Sequence, residues 1–443
     1  SDGSLSTPTA GTSNVRFGVN AGNSIASGGN YNVVIGDEAG TALTTGDENT
    51  FIGYASGDAI TTAVKNVAVG HAALSADTLG NANVAIGHDA LRQQNFTTAT
   101  NVYNTAVGFA AGENITTGIS NTLIGGLTGD AFTDADYNIA IGYEALTTDT
   151  KGDRSVAIGL GALRTQNFTS VTTTRNTAVG DNAGYSVTTG QYNTFIGALS
   201  GDAVTDSDEN VAVGYNSLST NTLGNRNVAV GTGALATMNQ TTATDSNNTA
   251  VGQAAGFALT TGINNVFMGF GAGDAQTTAN QNVAIGKDSM TSNVAGAKNV
   301  AIGTATLANF NVTAADTYNV CIGDHAGSSV TTATASTLIG GLAGDAITTG
   351  GFNTLMGYAA GGAITVGTGN VAIGYLALDA ETGGQESVAI GTSALSAQDF
   401  GSGHRPANNA LGLNAGASIT SGINNLAIGT FTLDSLTDAD YNV

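Results

Sequence analysis

Tryptophan is absent from this chain, cysteine occurs once, proline twice, and only 11 of the 443 residues are lysine or arginine. Each scarcity excludes something. The single Cys321 rules out a disulfide framework within the chain, and its place in the repeat, where alanine is usual, suits a small apolar residue. Against the 11 basic residues stand 33 acidic ones, for a net charge of −22. No basic face exists to neutralise phosphates, so a nucleic-acid partner is not expected, and anionic membrane surfaces are disfavoured. Apolar runs long enough to span a bilayer are missing too, so no membrane insertion is expected of this segment.

What is present is glycine, 64 residues of it, with alanine, threonine, asparagine and valine. The chain is too apolar and too patterned for disorder and lacks the three-residue glycine period of collagen. Its pattern is an internal repeat. NTAVGFAAGENITTG begins at Asn104, NTAVGDNAGYSVTTG at Asn176 and NTAVGQAAGFALTTG at Asn248, each 72 residues after the last. Within that period the core is Asn, a β-branched residue, a small or apolar residue, Ile or Val, then Gly. Its closing glycines run from Gly18 to Gly429 through 24 units. Most steps are 17 residues; three of 17 and one of 21 make the 72. A second marker, four residues after the glycine, reads Gly40, Gly57, Leu74, Leu91, then Gly112, Gly129, Leu146, Leu163.

Seventeen residues are too few for a helical hairpin, and the core is rich in strand-forming Val, Ile and Thr. Triplets such as Thr44-Thr45-Gly46 and Thr116-Thr117-Gly118 supply turns. The expected fold is therefore all-β: a parallel β-solenoid of about 24 coils with a four-coil super-repeat. At about 4.8 Å per coil it would form a rod on the order of 115 Å long. Residues 1–13 are expected to be an extension or linker and 14–443 the solenoid. The last unit, ending at Val443, reads as cut short, as in a processed chain or a fragment.

Alternate side chains of a strand face opposite ways. Ile139 and Ile141 share one face, expected to be the coil's own core; the residue between them faces the other way. At that middle position stand Phe51, Leu123, Phe195, Phe267, Leu338 and Leu355. A strand apolar on both faces is buried on both, and one coil cannot cover both. A second copy of the chain is the expected cover, with those six residues as interface candidates. The asparagine, replaced only by Ser155, Ser336 and Ser387, is expected to build a hydrogen-bonded ladder.

The string Asn/Ser-Val-Ala-Ile-Gly-x-x-Ala, as in SVAIGLGAL from Ser155 and SVAIGTSAL from Ser387, resembles the head repeat of YadA-type trimeric autotransporter adhesins. The NTAVG…TTG spelling is similar to repeats of phage tail fibres. The resemblance implies a trimeric left-handed parallel β-roll, outside the cell, that attaches to a receptor or glycan. The coils here are longer than in that adhesin head, and neither a coiled-coil stalk nor a membrane anchor is found. A virion fibre therefore ranks ahead of a bacterial cell-surface adhesin.

The longer coils, such as LRQQNFTTATNVYN from Leu91 and LSAQDFGSGHRPANN from Leu395, are expected to protrude. Phe96, Phe168, Phe400, His404 and Arg405 are candidates for receptor contact, although the phenylalanines could instead lock neighbouring subunits, the reading ranked first. Asp134, Asp136, Asp206 and Asp208 cluster carboxylates of the type calcium prefers, without the spacing of calcium-bound β-rolls; solvated turns are the favoured reading. His71 and His88 recur at one coil position and should stack near 5 Å apart, without a third ligand in view. No catalytic constellation stands out, so an enzyme is not expected. An ice-binding solenoid and a polysaccharide-cleaving tailspike rank lower: the Thr-Thr-Gly triplets sit at turns of only some coils, and no acidic pair is singled out.

Overall fold

The computed structural model describes residues 10–313 and 315–443; most of the expected N-terminal extension, residues 1–9, lies outside them. The described residues contain no helix. They fall into two compact units that divide between Leu223 and Gly224. Each unit holds twelve three-residue strands, one per coil, stacked in parallel. In the first unit Val33, Val34 and Ile35 pair with Thr50, Phe51 and Ile52, and these with Val67, Ala68 and Val69. In the second, Thr249, Ala250 and Val251 pair with Val266, Phe267 and Met268. Like position therefore sits on like position, and the chain is a parallel β-solenoid.

The motif glycine makes that stacking close. Gly53 has φ +128°, and a Cβ there would lie 2.4 Å from the carbonyl oxygen of Gly70 in the next coil. Any side chain would push the coils apart. Four residues on, the chain turns through a left-handed residue, Gly40, Gly57, Leu74 or Leu91, all with φ between 52° and 57°. Leucine adopts this region at a cost of roughly 1 kcal/mol, which full burial offsets (Leu74 and Leu91 are inaccessible).

The asparagine ladder runs inside the coil. Asn49 donates its backbone N–H to Oδ1 of Asn32 at 2.9 Å and its Nδ2 to the carbonyl of Ala63 at 2.9 Å. Asn66 repeats this with Asn49 and Gly80. Each amide thus satisfies backbone groups that would otherwise be buried unpaired. Where Ser155 interrupts the column, its hydroxyl bonds Thr174 and Gln166 instead.

The two strand faces are the reverse of the sequence expectation. Phe51, Leu123, Phe195, Phe267, Leu338 and Leu355 point into the coil and are wholly inaccessible. They cannot touch a second chain. The flanking β-branched residues, Val33 and Ile35 or Thr50 and Ile52, point outward. The reason is room: the interior of a 17-residue coil already holds the turn residue and its neighbours, so the narrow inward place goes mostly to alanine.

That competition for volume explains the four-coil period. Coils with an inward Leu74 or Leu91 carry Ala68 or Ala85 on the strand. Coils with glycine at the turn leave a gap that a neighbouring large side chain fills. A Cβ at Gly40 would be 2.9 Å from Cδ2 of Phe51, and one at Gly57 would be 2.7 Å from its Cδ1. One ring thus spreads over two glycines. Phe195 does the same over Gly184 and Gly201, and Phe267 over Gly256 and Gly273.

Candidate functional site

Outward-facing Val, Ile and Thr form two columns along each unit. In the first, Ile86, Ile124, Ile139 and Ile196 are 38–40% exposed; in the second, Met268, Met356 and Leu411 are 41–49% exposed. Twelve coils about 4.8 Å apart make each strip on the order of 50 Å long. Neither column carries a charged side chain among the described residues. Immediately after the motif glycine comes a third exposed column, rich in aromatics: Tyr54, Phe109, Tyr143 and Tyr215 in the first unit, Phe270, Tyr358 and Tyr375 in the second. Within it His71 and His88 stack with ring centroids 4.6 Å apart and planes 6° from parallel.

The long coils fold back more than the sequence suggested. Phe96, Phe168 and Phe400 are buried, at 6–9% exposure, beneath their own loops, so as receptor anchors they are corrected to core residues. Each loop is pinned from within. Asp77 accepts from the backbone N–H of Gly80 and of Phe96, both at 3.1 Å, and from Nε2 of Gln94 at 2.6 Å. Gln94 in turn accepts from Asn104. Asp149 with Gln166 and Glu381 with Gln398 repeat the device. Burial raises the pKa of Asp77 and Asp149 above the ordinary carboxylate value, partly opposed by these hydrogen bonds. In the remaining two long coils the equivalent positions hold Asn221 with Met238 and Asn293 with Phe310. A carboxylate is used where a glutamine donates to it, and an amide where the facing residue is apolar. The insertions also add strands: Gly80–Asn81 pairs in parallel with Thr100–Asn101, and Gly152–Asp153 with Thr172–Thr173. What remains exposed is each loop tip, at Thr97 to Ala99 and, in the last loop, His404 and Arg405. Arg405 reaches Glu386 at 3.3 Å.

The acidic strings take structural roles. Asp136 accepts the backbone N–H of Ile119 at 2.7 Å and Asp208 that of Gln191 at 2.7 Å. Asp134 and Asp206 accept from the hydroxyls of Thr117 and Thr189. Asn81 and Asn280 fill the place of Asp136 in other coils with the same bond. These carboxylates are part of an acceptor column along the coils, and the four do not gather among the described residues. Cys321 is fully buried, and desolvation pushes its thiol pKa up.

No motif points to a groove of about 430 Å³ lined by Tyr143, Glu144, Leu160, Arg164, Tyr185 and Asp202. Arg164 bridges Glu144 at 2.7 Å and lies 5.5 Å from the Tyr185 ring centroid. These residues come from coils 17 to 21 residues apart, and only stacking brings them together.

The fold places the chain among parallel β-solenoid repeat proteins. No helix among the described residues is long and apolar enough to cross a membrane. No protein-family model matches the chain, and no curated protein matches it.

Proposed function

We propose that this chain is a segment of an extracellular structural fibre, assembled as a homotrimer, that attaches a particle to a host cell or surface. The observation that carries the reading is the outward sheet face: in each unit one column apolar throughout and beside it one mostly of valine, isoleucine and threonine, in register from coil to coil. Exposed apolar strips of this extent mark interaction surfaces. A second copy is the occupant that fits, because a flat face of identical repeats is complementary to itself. The face carries almost no charge, so the −22 of the chain stays outside the contact. The trimeric number and the attachment role rest on the likeness of the repeats to adhesin heads and phage fibres. A virion fibre is placed first and the bacterial adhesin head second. The exposed loop tips, including His404 and Arg405, are the surfaces offered to a receptor or glycan, and no enzymatic activity is assigned.

Sedimentation equilibrium of the full chain at micromolar concentration tests the self-association. The expected species is a trimer, and Ile124→Lys with Ile196→Lys on the outward face should shift it to monomer with the fold retained by circular dichroism. A folded monomeric parent chain would sink the proposal. One observation favours a second reading: the same face presents Thr50, Thr105, Thr122, Thr177 and Thr194 among its valines and isoleucines, at a regular spacing suited to ordered water. Thermal hysteresis from a monomeric chain would favour ice binding over assembly.

A further inference from the structure

We propose that His71, His88 and Asp89 form a binding site for one divalent first-row transition-metal ion of the class that takes imidazole and carboxylate together, such as Zn²⁺ or Cu²⁺. One donor atom from each of the three lies within 4.8 Å of the other two, and no other group of three such residues gathers among the described residues. Two ligands at about 2.0–2.1 Å from a tetrahedral ion stand about 3.3 Å apart, so closing the site asks for roughly 1.5 Å of side-chain movement at most.

The ligands come from two adjacent coils. Zero-shift stacking puts His88 directly beyond His71, with the rings nearly parallel at 4.6 Å. Asp89 follows His88 in a left-handed conformation, φ 60°, and its Oδ2 lies 2.9 Å from His88 Nδ1. Two donor atoms at that separation can hold one ion between them, so His88 Nδ1 and Asp89 Oδ2 both serve as ligands. The coils on either side carry Ala72 and Ala110 where Asp89 stands, and the histidine column continues as Tyr54 and Phe109. The carboxylate and the two imidazoles therefore coincide in only one place along this face.

Ring packing alone explains the stacking with Tyr54 at 5.2 Å and with Phe109 at 5.6 Å. Acids stand at the place of Asp89 in other coils too, as Glu38, Glu144 and Asp288, but among the described residues only Asp89 lies beside two imidazoles. The nearby cation, Arg92, sits 3.8 Å from Asp89 Oδ1 but 3.0 Å from Glu113 Oε1, which draws it aside. Both histidines are exposed, so coordination positions beyond the three remain open to water or to a ligand from outside. Imidazole with carboxylate suits Zn²⁺ or Cu²⁺ better than Ca²⁺ or Mg²⁺, which prefer oxygen alone.

Titration calorimetry of the full chain with ZnCl₂ should show one ion per chain. His71→Ala or His88→Ala should weaken binding at least tenfold and Asp89→Asn about tenfold. His325→Ala, a control whose imidazole pairs with Asp324 elsewhere in the chain, should leave affinity unchanged. With Cu²⁺, electron paramagnetic resonance should show two nitrogen couplings, one of which each histidine variant removes. Both histidines are exposed and Asp89 is part-buried, and circular dichroism of each variant should report an unaltered fold. Absence of stoichiometric Zn²⁺ uptake, or affinity unmoved by the two histidine variants, would overturn the assignment.

Discussion

Residue 276 shows how narrowly the coil interior is specified. Equivalent positions in other super-repeats hold Ile60, Phe132, Val204 and Ile347, all fully buried. Gln276 puts a carboxamide there. Its Oε1 accepts from Asn282 at 3.0 Å, but its Nε2 is buried without a partner among the described residues. An unpaired buried donor costs roughly 1–3 kcal/mol. Gln276→Val should therefore raise the free energy of unfolding by about 1–2 kcal/mol, read from the denaturant midpoint at constant slope. A lowered midpoint would mean that the bond to Asn282 outweighs the orphaned amide.

At the scale of the coil, stability depends on a shared volume rather than on any one side chain. Phe51→Ala empties the space above both Gly40 and Gly57 and should cost about 3–5 kcal/mol. Gly57→Leu alone should also destabilise, since its side chain would meet the Phe51 ring. Together the two changes recreate the arrangement of Ala68 with Leu74, because Gly57 already has the backbone angle of Leu74. The double variant should be more stable than Phe51→Ala by roughly 1–2 kcal/mol, the burial of a leucine less its left-handed backbone cost. Additive losses in the double-mutant cycle would show that the two positions do not share one space.

For the whole molecule, the repeated aspartates set how stability responds to pH. Burial is the first cause raising the pKa of Asp58, Asp77, Asp130, Asp149, Asp202 and Asp274 above the ordinary 3.8. Asp316, held down by Lys298, is the exception at the surface. A raised native pKa means that the folded chain keeps protons the unfolded chain has released. The folded state then binds more protons above pH 3.8, and stability falls as pH rises through the raised native values. Self-repulsion of the −22 charge acts in the same direction. The unfolding free energy should thus be larger near pH 4, just above the ordinary carboxylate value, than at pH 7.5 at equal ionic strength. A profile that climbs between those two values would contradict the burial of these carboxylates.

Legible in the linear order were the coil, its parallel stacking, the super-repeat and the asparagine column, because each depends on residues that recur at fixed intervals. A 17-residue period with Asn49, Asn66 and Asn83 in one place can close only by setting like on like. The direction of the strand's faces was not legible. Phe51 and Ile52 are both apolar, and alternation tells that they point apart without telling which points in. Packing decided it: the space left by Gly40 and Gly57 receives the ring, and Ile52 turns outward. The fate of Phe96 was settled likewise, by a buried Asp77 that reaches it from 19 residues back. Asp89 beside two histidines and the groove around Arg164 also belong to the tertiary structure alone, since side chains 17 to 21 residues apart meet only once the coils are stacked.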